Sequence, residues 1–494
     1  MDRPPRGVAR RAHADRMNEM GDDAKPVSDT DACRAALAER FPGPAWLDGD
    51  DIPARNTHDT SYLPATRPLG VARPNDPAGF ADAMAICARH GVPVVPQAGL
   101  TGLAGGAHPL EGAVAISFER FSGIEEIDPA SATMTVRAGT PLETIQRAAD
   151  EAGFFIPLDL GARGSCLIGG NLGTNAGGNR VIRYGMAREM VLGLEYVLPD
   201  GTLITGLNKM IKNNAGYDLK QLFMGSEGTL GMITRAVLRL YPKPGCTCAA
   251  LCGLGRYEDV LGLLAAARRG LGPMLSAFEV MWPDYWHEAT VTVPNIRRPI
   301  EGDHAFYVLV EMQGMDEALD APRFESWLEG QFEAGLIEDA AIARSLADVA
   351  AFWRTRDAAG EFGTVLGPHS AFDIGLPVRA MDDFAKECRA ALAEALPGCL
   401  SVYYGHIGDG NLHIVALVPG AAEQPGKAIS EIVYTTVSRH GGTISAEHGI
   451  GLVKKPYLPL SRSEGELALM RRLKRALDPR GVLNPGKVVN MENM

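Results

Sequence analysis

The chain has 494 residues, 46% of them hydrophobic, enough for two or more independent cores without disulfide or metal staples. Its 48 basic and 60 acidic residues leave a net charge of −12, which argues against a broad electrostatic grip on nucleic acid or anionic lipid. No apolar run approaches the ~18 residues that a membrane-crossing helix needs.

The opening stretch, "MDRPPRGVARRAHADRMNEMGDDAKP", is Arg-rich and lacks the apolar core of a secretory signal. Residues 1–28 are expected to be a disordered extension, with Met17 or Met20 as alternative starts and a transit peptide as the lesser alternative. In "NDPAGFADAMAICARHG", Asp76 is an N-cap, Pro77 takes the first helical position, Phe80, Met84 and Cys87 share a face, and Gly91 stops the helix. "VPVVP" follows as a buried strand. It runs into "QAGLTGLAGGAHP", where Gly99, Gly102, Gly105 and Gly106 let backbone N–H groups approach an anion closely. There is no GK[ST] and no GxGxxG after a strand, so neither a Walker loop nor a Rossmann dinucleotide site is indicated.

"TPLETIQRAADEAG" has the spacing of a capping box, Thr140 to Glu143, and ends at Gly153. The run "GARGSCLIGGNLGTNAGGNRVIRYG", 161–185, carries eight glycines in 25 residues, interleaved with Ser165, Asn171, Thr174 and Asn175. It reads as backbone wrapped around a flat ligand with many polar positions, as an isoalloxazine has. "GSEGTLGMITRAVLRLYPKP" is a turn, 225–231, leading into a strand. The prolines and glycines of "YPKPGCTCAALCGLG" then mark a domain boundary. None of the eight cysteines forms a CxxC pair, so a reducing compartment is expected, and "CTCAALC" reads as buried thiols in a strand rather than a metal site.

"GHIGDGNLHIV", 405–415, puts His406 and His413 on either side of a turn whose tip holds Asp409 as a turn residue. Two imidazoles on facing arms can share one metal if a third ligand arrives, and "ISAEHGIG", 444–451, offers Glu447. That N/O set with an open position is the pattern of a catalytic zinc, and manganese, iron and cobalt accept similar ligands. Glu447 and His448 are adjacent and can serve one site only where the chain is irregular, which Gly449 and Gly451 permit. The last helix, "SEGELALMRRLKRAL", is capped by Ser463 with Glu466, shows Leu467, Met470, Leu473 and Leu477 on one face, and stops at Asp478-Pro479.

Together the glycine segments, "GYDLKQLFMGSEGTLG", "SAEHG" and "LDPRGVLNPGKVV" resemble the FAD-linked D-2-hydroxyacid dehydrogenases, vanillyl-alcohol-oxidase-type flavoproteins that include D-2-hydroxyglutarate dehydrogenase, D-lactate dehydrogenase and the glycolate oxidase flavin subunit. The resemblance runs from about residue 60 to the C-terminus. It implies an α+β fold: a two-subdomain FAD-binding PCMH/VAO-type domain (29–245), an α+β cap or substrate domain (246–440) and a C-terminal segment (441–494) returning to the flavin. It implies FAD contacts from Pro96, Gln97, Gly99, Thr101, Gly102, Gly105 and Gly106 around the pyrophosphate, and from Leu160, Gly164, Ser165, Gly170, Asn171, Thr174, Asn175 and Gly177. Glu227, Gly228, Ile233 and Asn484 complete the set. The FAD is read as noncovalent, since "PQAGLTG" has no histidine for a link.

The same resemblance matches His406, His413 and Glu447 to metal ligands, His448 to the proton acceptor and Arg356 in "FWRTRD" to a substrate carboxylate's partner. It implies oxidation of a D-2-hydroxyacid to the 2-oxo acid, with electrons passing to a quinone, a cytochrome or an electron-transfer flavoprotein. Two positions depart from the hydroxyglutarate subgroup: Ala371 stands where a lysine is expected, and Val415 where the hairpin ends in asparagine. Less polar hydroxyacids should therefore compete well with the diacid. The alternatives are a glycolate oxidase-type flavin subunit, a metal-dependent hydrolase and a flavin binder without catalysis. A cytoplasmic protein, with or without peripheral membrane attachment, is expected, and a homodimer is one arrangement open to it.

Overall fold

The computed structural model describes residues 29–491; the expected extension 1–28 and the alternative starts lie outside the described residues. Helix Pro77–His90 begins where Asp76 accepts a hydrogen bond from Gly79 N at 2.7 Å and ends at Gly91 with φ 65°. Its Phe80, Met84 and Cys87 are fully buried against a four-stranded sheet. The strands lie in the spatial order Trp46–Asp48, Gly70–Ala72, Val114–Ser117, Val94–Gln97, the last three parallel.

A five-stranded antiparallel sheet follows, in the spatial order Ile124–Asp128, Thr133–Arg137, Met232–Arg239, Val191–Val197, Leu203–Gly206. Helix Leu142–Glu151 buries Leu142, Ile145 and Ala149 against it. The capping box expected at its start does not form, and Pro141 is the cap residue without a side-chain bond. Thr140 is buried, and its hydroxyl donates to Arg137 O at 2.7 Å and accepts from Gly123 N at 2.9 Å. The preceding strand turn holds the hydroxyl, and the Glu143 N–H that a capping box would use donates to Arg163 O at 3.0 Å instead.

The third sheet has seven antiparallel strands, in the spatial order Asp339–Ile342, Cys246–Leu254, Phe306–Gly314, Leu275–Met281, Leu400–Gly405, Asn411–Leu417, Ser370–Gly375. Helices Tyr257–Gly270, Glu317–Glu333, Met381–Ala395 and Gly426–Arg439 close one of its faces over a core that includes Val260, Phe324, Phe384 and Val433. Cys252 is buried in its strand and Cys246 and Cys248 are half-buried, and all eight thiols are free. Helices pack beside largely antiparallel sheets, an α+β arrangement.

Helix Glu464–Leu477 carries the full Ser463–Glu466 capping box. Leu467 is buried on it, while Met470, Leu473 and Leu477 are only half-buried. The buried partner of Leu467 is Lys474, whose Nζ donates to Thr229 O at 2.8 Å and Leu483 O at 2.6 Å and pairs with Asp478 at 2.5 Å. Beyond it the chain returns to the first sheet, where Val94 N donates to Val482 O and Asn484 N to Val94 O, both at 2.7 Å.

Candidate active site

A cleft of about 610 Å³ is lined by residues from these sheets and the loops between them. One wall is built from Pro96, Gly99, Thr101, Gly102 and Gly106, then Leu160, Gly170, Asn171, Thr174 and Gly177, then Glu227, Gly228 and Ile233. The glycine-rich run 161–185 is not all irregular wrap, for Ile168–Thr174 is a short helix. The remaining residues expected at the cofactor lie elsewhere. Gln97 is fully buried, its amide exchanging hydrogen bonds with Asn56 and donating to Ala107 O. Asn175 Oδ1 accepts from Arg188 N at 3.0 Å, and Asn484 Nδ2 donates to Gly106 O at 3.0 Å and Glu227 O at 2.8 Å, so these side chains brace loops. Gly105 faces Leu63 and Leu452, Gly164 faces Glu143, and Ser165 lines an adjoining cleft that shares Gly99 and Leu167 with the first. Among the described residues, Asn171 Oδ1 is buried on the wall without a partner, and a Cβ at Gly102 would meet nothing within 4 Å. Polarity and room both fit an elongated polar cofactor such as FAD.

The other wall carries titratable side chains. His406 follows strand Leu400–Gly405 directly, and His413 lies in Asn411–Leu417, opposite both Tyr404 and Asp373. Gly410, at φ 89°, closes the turn, where Asp409 accepts from Asn411 N at 3.3 Å. The two imidazoles are 5.2 Å apart between centroids, and potential ligand atoms of His406, His413 and Glu447 all lie within 4.8 Å of one another. Glu447 Oε1 accepts from Gly178 N at 2.5 Å. Gly449 and Gly451 have φ of 76° and 50°, and in this irregular loop consecutive residues Glu447 and His448 both line the cleft. His448 Nδ1 stands 3.7 Å from Asp373 Oδ2.

Two carboxylates that the sequence reading missed organise this wall. The pairing of Val280 with Gly405 brings Glu279 alongside His406, and its Oε1 is 2.7 Å from His406 Nδ1. Glu279 Oε2 accepts from Arg356 Nε at 2.7 Å, while Arg356 Nη2 is 3.0 Å from His406 Nε2 and Nη1 is 3.2 Å from Asp357. Burial works against a charge at Glu279, but His406 and Arg356 hold its pKa down to about 2. At His406 burial is likewise overridden, by Glu279, and the pKa rises. At His413 burial and the charges of His406 and Arg356 act together and push it well below the ordinary histidine value. A neutral imidazole, a second one fixed by a carboxylate and the Glu447 oxygen form a donor set that fits a divalent ion. The other missed carboxylate, Asp373, is fully buried beside the loop that carries Glu447 and His448. Both sit in apolar strand runs, "LSAFEVM" and "SAFDIG", and an acid at such a position was the available signal.

Ala371 and Val415, the two departures noted in the sequence, are direct cross-strand partners, two residues along from the Asp373–His413 pair and on the same face. Ala371 lines the cleft.

The family described as "FAD binding domain" matches residues 68–206, and that described as "FAD linked oxidases, C-terminal domain" matches 243–488. The chain is 40% identical over 426 residues to D-2-hydroxyglutarate dehydrogenase of Xanthomonas citri pv. viticola, covering 85% of this chain and 89% of that one. It is 35% identical over 455 residues to mitochondrial D-2-hydroxyglutarate dehydrogenase of Bos taurus, covering 92% and 83%. Among solved structures, p-cresol methylhydroxylase with substrate bound superposes with a TM-score of 0.77 at 15% identity, covering 94% of this chain and 98% of that one, a likeness of fold.

Proposed function

The chain belongs to the FAD-linked D-2-hydroxyacid dehydrogenase family, and from that premise we propose that it oxidises a D-2-hydroxyacid to the 2-oxo acid with the help of a divalent ion. The observation that carries the reading is the meeting, across one cleft, of a glycine-built wall and the His406, His413, Glu447 and His448 group. Those first three residues would hold the ion, zinc by its ligands, which would polarise the substrate hydroxyl and lower its pKa. FAD, bound noncovalently along the wall from Pro96 to Ile233, would supply the two-electron acceptor. His448 accepts the hydroxyl proton, its Nδ1 facing Asp373 Oδ2 at 3.7 Å. Arg356, anchored by Glu279 and Asp357 and with Nη2 beside His406, lines the cleft and would turn its remaining N–H to the substrate carboxylate.

On this reading residues 29–245 and 246–440 supply the two walls and 441–494 brings Glu447, His448 and Asn484 to them. The apolar Ala371–Val415 pair supports acceptance of monocarboxylic or less polar hydroxyacids, with D-lactate and D-2-hydroxyglutarate the leading candidates. The eight free thiols support a reducing, cytoplasmic setting. No helix among the described residues is long and apolar enough to cross a membrane. Electrons then leave to a quinone, a cytochrome or an electron-transfer flavoprotein. Anaerobic mixing of the purified yellow holoenzyme with D- and L-2-hydroxyacids, with metal content measured on the same sample, tests the reading. Bleaching is expected with D-2-hydroxyglutarate or D-lactate and not with their L-forms; a flavin that keeps its colour with every D-hydroxyacid would sink it.

A further inference from the structure

The loop that delivers Glu447 and His448 has no helix or strand of its own. Something else must fix it, because a metal ligand or base displaced by about 1 Å can cost about 100-fold in rate. Two buried carboxylates from different parts of the chain do so. Asp373, in strand Ser370–Gly375, accepts through one oxygen from Ala446 N at 3.2 Å, Glu447 N at 2.9 Å and His448 N at 2.9 Å. Its other oxygen accepts from Asn411 Nδ2 at 2.9 Å, and Lys454 Nζ lies 3.6 Å from the first oxygen. Glu227, from the turn before strand Met232–Arg239, accepts from Ile450 N at 2.7 Å and Gly451 N at 2.8 Å.

The second clamp belongs to the flavin side. Glu227 sits at φ 53°, a left-handed conformation that a non-glycine residue holds only when its surroundings impose it. Gly173 O holds its N–H at 2.8 Å, and the Asn484 amide holds its carbonyl at 2.8 Å. Its carboxylate lies beside both Gly106 of the glycine wall and Gly449 of the loop.

We propose that Asp373 and Glu227 are positioning residues that clamp the 446–451 loop from opposite sides, so that Glu447 and His448 are set jointly by the flavin-side and substrate-side halves. Neither need touch the substrate. The proposal rests on the reading of Glu447 as a ligand and His448 as the base. Its consequence is that weakening either clamp loosens the metal site, including the clamp that shares no strand with a metal ligand.

The test uses the holoenzyme and the isosteric variants Asp373→Asn and Glu227→Gln. Amide hydrogen exchange is followed across 445–451, and zinc affinity is measured by chelator competition. Exchange should rise at 446–448 in the first variant and at 450–451 in the second, and zinc should bind about 10- to 100-fold more weakly in both. Loop amides as protected in both variants as in wild type would overturn the proposal. So would faster exchange with zinc affinity unchanged in both. A wild-type protein that takes up no zinc would overturn the metal reading alone, and the exchange arm would still decide the clamp. Should Asp373→Asn not fold, Glu227→Gln carries both measurements.

Discussion

Across one cleft, Gly99, Gly102, Gly106, Gly170 and Gly177 present backbone to the ligand space, whereas His406, His413, Arg356 and His448 face it with ionisable side chains. The first wall works by what it leaves out. Its contacts are amides, and an added methyl group damages it by occupying room. The second works by placement: strand register sets Asp373 against His413 and brings Glu279 to His406, so each side chain's chemistry depends on the strand beside it. The two walls should therefore fail differently when altered, one by crowding and the other by loss of a proton acceptor, a ligand or a partner.

The largest effect is expected on the second wall. His448→Asn should slow flavin reduction by D-2-hydroxyacid roughly 10²- to 10⁴-fold while leaving FAD and metal content near wild type. Stopped-flow reduction under anaerobic conditions measures it; a rate within threefold of wild type would remove His448 from the mechanism.

Charge burial separates the walls as well. Lys454 on the histidine side sits against Asp373, but Lys487 on the flavin side has a single hydrogen bond among the described residues, to His108 O at 2.7 Å. Burial depresses its pKa from the ordinary 10.5 to about 8, with Asp59 and Glu227 offsetting part of the loss. Between those two values the unfolded chain binds more protons at this position than the folded one, so this group makes stability rise with pH across that window. The interval corresponds to about 3 kcal/mol. Lys487→Met should accordingly be favoured at neutral pH relative to wild type, with the difference shrinking by about that amount as pH rises from 7.5 to 10.5. Urea unfolding of both proteins over this range decides it, and a pH-independent difference would refute the assignment.

This asymmetry also explains what could be read from residues alone. Glycine spacing, caps and alternating apolar strands are local signals, so the α+β class, helix Pro77–His90 and the capping box at Ser463 were legible. The spacing of His406, His413 and Glu447 was legible as a set because a hairpin and a glycine-flanked "SAEHG" restrict the geometry. Glu279 and Asp373 were not, because their partners are up to 127 and 81 residues away, and only the tertiary fold brings them near. Thr140 was misread for a related reason: its hydroxyl suits a capping box locally, but a tertiary contact with the Gly123 turn wins. Lys474, on the helix's buried side, was invisible to a rule that expects apolar residues there.

A smaller effect should appear where the walls touch. Gly177 packs against the Glu447 carboxylate, and a Cβ there would collide with it. Gly177→Ala should lower zinc affinity about 10- to 100-fold, an effect transmitted from the glycine wall to a ligand of the other. Chelator competition reads the change. If affinity holds but FAD is lost, the two walls are independent at this point.

The smallest effect, about tenfold, is expected at Ala371. It lines the cleft on the same sheet face as His413, and its cross-strand partner Val415 offers no polar atom, so nothing at this pair engages a second carboxylate. Ala371→Lys would place an ammonium on that face. A charge-assisted hydrogen bond contributes about 1.5–3 kcal/mol, but ordering a lysine side chain costs up to about 1.5–2 kcal/mol of rotamer freedom, which reduces the gain. The kcat/KM ratio for D-2-hydroxyglutarate over D-lactate should therefore rise about tenfold, with most of the change in KM, and Val415→Asn added to it should raise the ratio further. Steady-state kinetics on both acids would show this. A wild-type enzyme that already prefers the diacid strongly, with the ratio unmoved by Ala371→Lys, would mean that the second carboxylate is held by residues elsewhere on the cleft.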